Sequence, residues 1–347
     1  MTKFFRSIRL KLSENNKTGR YLKYAVGEIV LVVIGILIAL ALNNLHQKNQ
    51  NEKYISTILL QIQKELEVDI KDAQRITDIF LALEPLVERV LTDSVTVEEY
   101  LANRSYTILR VSYVSFTTNQ AGYHQLVNNL EILPDKIKGL VNDLNFLYVE
   151  YQDDIDGFNN KLREDAERAM RNDLEKYPES YQWVRTDSIS VINSANHFLS
   201  DPFYKNQVLN HAMNLQSVTS GASGYRIEAL QIHRKIDSLL NIKRDTYPEY
   251  LKFHDDLNGE FDEYLGLYKD KNGKLHIYEE NDQIHMRFEA DENNSFSFPI
   301  WRHSDGQYFV NLNGNIRFLI FSKSAGFPKI HLIDFSNPID DLVKVND

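Results

Sequence analysis

The stretch G-E-I-V-L-V-V-I-G-I-L-I-A-L-A-L-N-N, residues 27–44, decides how the rest of this 347-residue chain is read. Its uninterrupted apolar part, residues 29–42, is shorter than the ~20 residues that cross a bilayer as a helix. Tyr24, Ala25, Val26 and Gly27 extend it upstream, and Leu45 follows the two asparagines. At about 1.5 Å per residue, residues 24–45 rise about 33 Å, close to one hydrocarbon thickness. Tyr21 and Tyr24 suit the membrane interface, where an amphipathic ring is favoured. A cleaved signal peptide is the competing reading. Its support is a basic leading segment, a core of suitable length and the small-x-small triplet Ala39-Leu40-Ala41. Against it, the leading segment is long, no Pro or Gly breaks the helix just before the cut, and the helical pattern continues beyond. A soluble core helix is the third reading. The expectation is a retained transmembrane anchor.

Charge supports that expectation. Residues 1–44 hold seven basic and two acidic side chains, a net +5, so the remainder carries −15 of the formal −10. A basic arm ahead of an apolar span and an acidic body places the arm in the cytoplasm and the body outside it. In a bacterium with two membranes this means an inner-membrane anchor and a periplasmic body. Residues 4–12, F-F-R-S-I-R-L-K-L, put Phe5, Ile8 and Leu12 on one helical face and bases on the other, a pattern that lies on an anionic leaflet. The acidic body has no basic footprint for nucleic acid. The chain has no Cys, which excludes disulfides, thiolate zinc sites and a cysteine nucleophile.

Within the span, three residues stand out as anchor positions. Glu28 sits at one end and reads as a headgroup-level carboxylate near Lys23 or Arg20. The sharper alternative is an intramembrane carboxylate coupling protons or ions in a sensor or stator-like subunit. Gly35 and Ala39 form a small-xxx-small face through which a second copy of the chain could pack.

Beyond residue 44 the pattern Ile55, Leu59, Ile62, Leu66, Ile70, Ala73, Thr77, Phe80, Leu83, Val87 predicts a long amphipathic helix, packed within the chain or paired as a coiled coil. Pro85 is expected to kink or end it. Residues 96–102, T-V-E-E-Y-L-A, predict a short helix with a capping-box type of start at Ser94 or Thr96. Ala121-Gly122 reads as a turn before another short helix. Pro134 at a first turn opens a second long helix that runs to about residue 176, with Pro178 as its stop. Asp201-Pro202 opens a third, with a cap followed by proline. The patch S-G-A-S-G, residues 220–224, lies inside that third helix. It reads as a close helix approach or a kink, or else as a ligand-binding turn; it carries neither a Walker lysine nor a G-x-S-x-G elbow.

From residue 261 the texture changes to period two. Strands are expected at residues 264–268, 274–278, 283–288, 295–301, 307–312, 316–321 and 329–333, with hairpin turns at Asn272-Gly273, Asp305-Gly306 and Asn313-Gly314. The expected fold is therefore α+β. It has a cytoplasmic arm (1–23), one transmembrane helix (24–45), an elongated extracytoplasmic helical bundle (46–245) and a small antiparallel β-barrel or sheet (260–340).

The run Y-A-V-G-E-I-V-L-V-V-I-G-I-L-I-A-L-A-L-N-N, preceded by the basic arm, resembles the opening of an uncharacterised membrane-anchored family of Bacteroidota, domain of unknown function 6090. The resemblance is good over residues 3–52 and loose to about residue 181; Leu45 stands where many members have Trp. It implies a single-pass anchor and no known activity. Separately, Y-L-G-L-Y followed by Q-Y-F-V-N-L-N-G-N-I-R-F is similar to the small accessory β-domain appended to beta-lactamase-like proteins and peptidases. Those hosts keep their catalysis elsewhere, so the likeness implies no activity here.

Ten His are scattered without H-E-x-x-H or a similar metal spacing, although His276, His285 and His303 could meet across the sheet. No catalytic residue, metal or cofactor is nominated. The barrel aromatics Tyr268, Trp301 and Tyr308 are the candidate ligand-binding residues, with core packing as the other reading. The expected function is a membrane-anchored, non-enzymatic binding or scaffold protein with a protein or small-ligand partner. The alternatives are the sensor or stator-like subunit working through Glu28, and a periplasmic hydrolase with an unrecognised site.

Overall fold

The computed structural model describes residues 18–177, 188–252, 261–269, 274–280, 283–291, 294–304, 307–312, 315–324, 326–333 and 342–345. The amphipathic arm at 4–12, the stop at Pro178 and the three expected hairpin turns lie outside the described residues.

The organising element is α1, Thr18–Leu91, a single helix of 74 residues. At 1.5 Å per residue it is about 110 Å long. Its two parts have different surroundings. The apolar side chains of residues 26–45 are exposed all round, as at Ile29, Leu31, Leu37 and Leu42. From Ile55 onward one face is buried: Ile55, Leu59, Ile62, Leu66, Ile70 and Ala73 have no exposed surface. Among the described residues, α1 is the one helix long and apolar enough to cross a membrane, and its most apolar window is wholly unburied. A signal sequence near the N-terminus meets the same test.

Pro85 does not end α1; the helix runs on to Leu91. A mid-helix proline costs ~3 kcal/mol. The far side of Pro85 offsets this by burial, because Val87 and Val90 enter a second apolar cluster with Tyr100, Tyr106, Ala195 and Phe198. Helix α2, Val97–Ala102, has the expected capping box between Thr96 and Glu99, and Arg89 pairs with Glu99 at 2.7 Å. Helix α3 is Ser105–Ile108. Ala121-Gly122 is not a turn but the start of α4, Ala121–Val127. The Gly122 amide donates to the Glu65 carboxylate, and an added Cβ would stand 2.7 Å from Ile62 Cγ1. Glycine is what lets this helix end dock on α1.

The segment after Pro134 also departs from expectation. Pro134 is extended and precedes a 3₁₀ turn at Asp135–Ile137 rather than a helical first turn. The rod then comprises α5, Lys138–Asn145, a π-turn at Phe146–Glu150 and α6, Tyr151–Lys176. Helix α7, Ser188–Ser200, was not expected. Helix α8, Pro202–Leu240, starts as predicted: the Asp201 carboxylate accepts the Phe203 amide at 2.9 Å, with proline next in line. Asn241 closes it in the left-handed conformation, φ 56°. Helix α8 packs along α1 on one side and α6 on the other. The 220–224 patch marks that second contact. A Cβ on Gly221 would meet Phe158 at 3.1 Å, and one on Gly224 would overlap the Tyr151 hydroxyl.

The β-domain is a closed antiparallel barrel in meander order, β1 to β8, sealed by β8 against β1. Its strands are β1 Gly266–Lys269, β2 Lys274–Glu280, β3 Gln283–Asp291, β4 Asn294–Ser304, β5 Gln307–Leu312, β6 Asn315–Ser324, β7 Phe327–Ile333 and β8 Leu342–Lys344. Closure removes the unpaired edges of an open sheet. The short β8 was missed by periodicity. Tyr268, Leu275, Ile277, Met286, Ile300, Val310 and Leu319 fill the interior. Alternation turns Phe309, Ile316 and Phe318 outward, where they join the bundle core. Phe318 meets Phe80 of α1 with ring centroids 5.6 Å apart. Strands β5 and β6 are thus buried on both faces, which is why F-L-I-F reads as a continuous apolar run.

Candidate binding cleft at the seam of bundle and barrel

The barrel is fastened to the bundle by a polar network around the buried side chains of Arg226, Arg302 and His303. His303 Nε2 lies 2.8 Å from Asp78 Oδ1, and Gln74 donates to the His303 carbonyl at 3.3 Å. The Arg226 guanidinium of α8 donates to the Arg302 carbonyl at 2.6 Å, and Arg302 pairs with Glu249 at 2.7 Å. Burial, then the Arg302 charge, lowers Arg226 to about 10. Burial likewise lowers His303, against the pull of Asp78. These contacts fix the seam, so a hollow along it is preformed.

Such a hollow of 370 Å³ opens where α6, α8, β4 and β5 meet. One wall is built by the π-turn. The Tyr151 amide donates to the Phe146 carbonyl, an i→i+5 closure that carries residues five apart onto one face. The Phe146 and Tyr151 rings lie edge to face at 5.9 Å. Gly224 lets Tyr151 seat against α8. One turn on, Glu228 lines the floor, followed by Gln231. The opposite wall is Pro299 and Trp301, alternate residues of β4, with Asn311 of β5. Burial first, then the Asp143 charge, raises the Glu228 carboxyl above its ordinary value. Burial, then Glu228 and Asp154, pushes the Tyr151 phenol to about 12. The described lining therefore offers aromatic faces, two side-chain amides and one carboxylate, with no Lys, Arg or His.

Of the sequence-nominated residues, Trp301 lines this cleft. Tyr268 and Tyr308 lie in the barrel interior: the Tyr268 hydroxyl donates to the Tyr264 carbonyl at 2.8 Å, and the Tyr308 ring packs 4.6 Å from Phe261. Glu28, Gly35 and Ala39 lie on the exposed part of α1, with open space around Gly35. The three histidines do not converge. His276 and His285 stack on either side of Tyr278, whereas His303 faces Asp78 in the bundle. Among the described residues no group of three His, Asp or Glu is placed to hold a metal. Phe146, Tyr151, Glu228 and Asn311 were not nominated. Gly224 in the flagged patch was the available signal, but the partner it admits is remote in sequence.

One constellation has the members of a hydrolytic triad. His211 Nδ1 lies 3.0 Å from Asp165 Oδ2, and Nε2 lies 3.3 Å from Ser112 Oγ. Nε2 is closer, at 2.7 Å, to the Ser112 carbonyl, an acceptor that cannot give up a proton. Nδ1 thus faces the Asp165 carboxylate and Nε2 the Ser112 carbonyl, and His211 is fully buried. The arrangement clasps α6 and α8 to the segment around Ser112.

The architecture thus defines a class: one unburied apolar helix continuous with a helical body that carries a closed β-barrel. Residues 28–100 match the model of a family described as "Family of unknown function (DUF6090)", a stretch that covers most of α1 and ends within α2. No curated protein and no solved structure matches the chain.

Proposed function

We propose that the chain is a membrane-anchored, non-enzymatic binding protein whose body stands outside the cytoplasm and receives its ligand in the seam cleft. The observation that carries this reading is the continuity of α1. Its first part buries nothing, although it is apolar on every side, and its second part is the central core helix of the body. An all-round apolar helix is stable in lipid and costly in water. The triplet Ala39-Leu40-Ala41 is mid-helix, with regular structure on both sides, which favours a retained anchor over a cleaved signal. The cationic residues before the span favour a cytoplasmic N-terminus. The inner membrane of a two-membrane cell is the location that fits, and the cleft at the junction of two packed units is where small ligands preferentially sit.

The test is topology. Two reporters, one active only in the cytoplasm and one only outside it, are fused separately after Asp347, and the N-terminal residue of the mature chain is determined. The expected result is an external C-terminus and an intact N-terminal segment. An internal C-terminus overturns the orientation, and a mature chain beginning after Ala41 overturns the anchor.

A further inference from the structure

We infer that the seam cleft takes a small soluble organic cation, its ammonium group set against the Trp301 and Tyr151 rings with Glu228 as counter-charge. This rests on the reading of the cleft as the binding site and adds the chemical class of the occupant.

The lining excludes the other classes. An anion would meet Glu228 without a cationic or guanidinium donor in the described lining. A purely apolar ligand would cover Glu228 without offering it a partner, so the carboxyl would have to give up either its charge or its solvation. Among the described residues no cation pairs with Glu228; the neighbouring Lys235 is engaged by Asp143 instead. Burial and the Asp143 charge oppose ionisation of Glu228. The Asp143 charge, which opposes a second anion there, favours a cation. The aromatic component agrees: the faces of Trp and Tyr carry negative quadrupole density that attracts alkylammonium groups, more strongly where water is excluded. The two amides, Gln231 and Asn311, would orient a polar substituent on the ligand.

Position along α1 selects the source. Tyr225, adjacent to Gly224, donates to Asp69 of α1 at 2.9 Å, so the floor of the cleft lies level with that residue. Asp69 is about 36 Å along the helix from residue 45, where the proposed span ends. The headgroup layer is only about 5–8 Å deep on each side of the hydrocarbon. The ammonium headgroup of a lipid in the bilayer does not reach this height, and a soluble amine does.

The experiment uses the full chain in detergent. Trp183→Phe removes the other tryptophan, leaving Trp301 as the reporter, since the chain has two. Choline, tetramethylammonium and butylammonium are titrated against Trp301 fluorescence, with 3,3-dimethylbutan-1-ol as the uncharged isostere of choline. The expected result is saturable binding of at least one cation, with the isostere at least tenfold weaker. Glu228→Gln should weaken the cation at least tenfold and leave the isostere within about twofold. Equal binding of isostere and choline overturns the charge assignment while the cleft remains a ligand site. No saturable response to any of the four, in protein whose thermal melt is unaltered, overturns both the assignment and the cleft. Phosphatidylcholine vesicles serve as the last arm: competition by vesicles alone, without response to free choline, overturns the soluble source.

Discussion

Asp69 shows what a buried carboxylate costs this bundle and why it is kept. It accepts the Asn119 backbone amide at 3.0 Å, the Asn119 side-chain amide and the Tyr225 hydroxyl, joining the 112–120 segment to α1 and α8. Burial outweighs these bonds and raises its pKa from 3.8 to about 6. The folded protein therefore holds this proton at pH values where the unfolded chain has lost it. Stability from this group is fully present below about pH 4 and is lost as pH rises through 6, by about 3 kcal/mol. Asp69→Asn removes the titration but sets an amide N–H against groups that already donate. The variant is expected to be less stable, and its deficit relative to the parent should shrink by about 3 kcal/mol between pH 4 and pH 7, measured by urea unfolding. A constant deficit would mean that Asp69 titrates normally. At the same scale, Gly224→Ala should cost about 1–3 kcal/mol, because the new Cβ overlaps the Tyr151 hydroxyl. Adding Tyr151→Phe should recover much of the loss, and a double-mutant cycle with no coupling would refute that account.

The helices test how far local signals carry. The capping box at Thr96 and the Asp201-Pro202 start were legible because each is decided by residues within one turn. Pro85, expected to kink or end α1, does not end it, for the converse reason. Its local cost is real, but Val87 and Val90 are held by side chains from distant segments. Pro85→Ala restores a helix-forming residue with its N–H and is expected to stabilise the protein by about 1–3 kcal/mol in chemical unfolding. No change in stability would show that the proline is accommodated by a bend that alanine does not relax. The π-turn is a third case. F-L-Y-V-E has no composition that distinguishes it from the α-helix on either side, and the extra residue per turn is paid for by packing of Phe146 and Tyr151 on the cleft wall.

At the scale of the whole molecule, the docking of barrel on bundle makes the cleft. It rests on the apolar contact of Phe309, Ile316 and Phe318 with the core and on the polar network around Arg226, Arg302 and His303. Phe318→Ser should loosen that contact without touching the barrel interior. Limited proteolysis is then expected to cut between residues 241 and 265 at least tenfold faster, while the barrel survives as a fragment; an unchanged cleavage rate would show that the polar network suffices alone. The pH dependence of docking follows from His303, whose pKa is lowered by burial. The neutral ring is the docked form, so this contribution is present above the ordinary histidine value of about 6.5 and declines as pH falls below it. His303→Gln should reduce the pH dependence of the same cleavage rate between pH 7 and pH 5.

The residues alone determined the apolar helix, its amphipathic continuation, the helical middle and seven of the strands, because each is written as a periodicity or a turn within a short window. They also carried the resemblance at the N-terminal span, where residues 28–100 match the family model. Tertiary structure decided which aromatic residues face a cavity. Tyr268, Tyr308 and Trp301 look alike in sequence, yet two fill the barrel interior and one opens onto the seam. It also decided that Glu228, an unremarked acid on a long helix, sits beside Trp301 more than seventy positions away. Periodicity reports which face of an element is apolar; it holds no information on which other element will cover that face, and a cleft exists only where two such coverings meet.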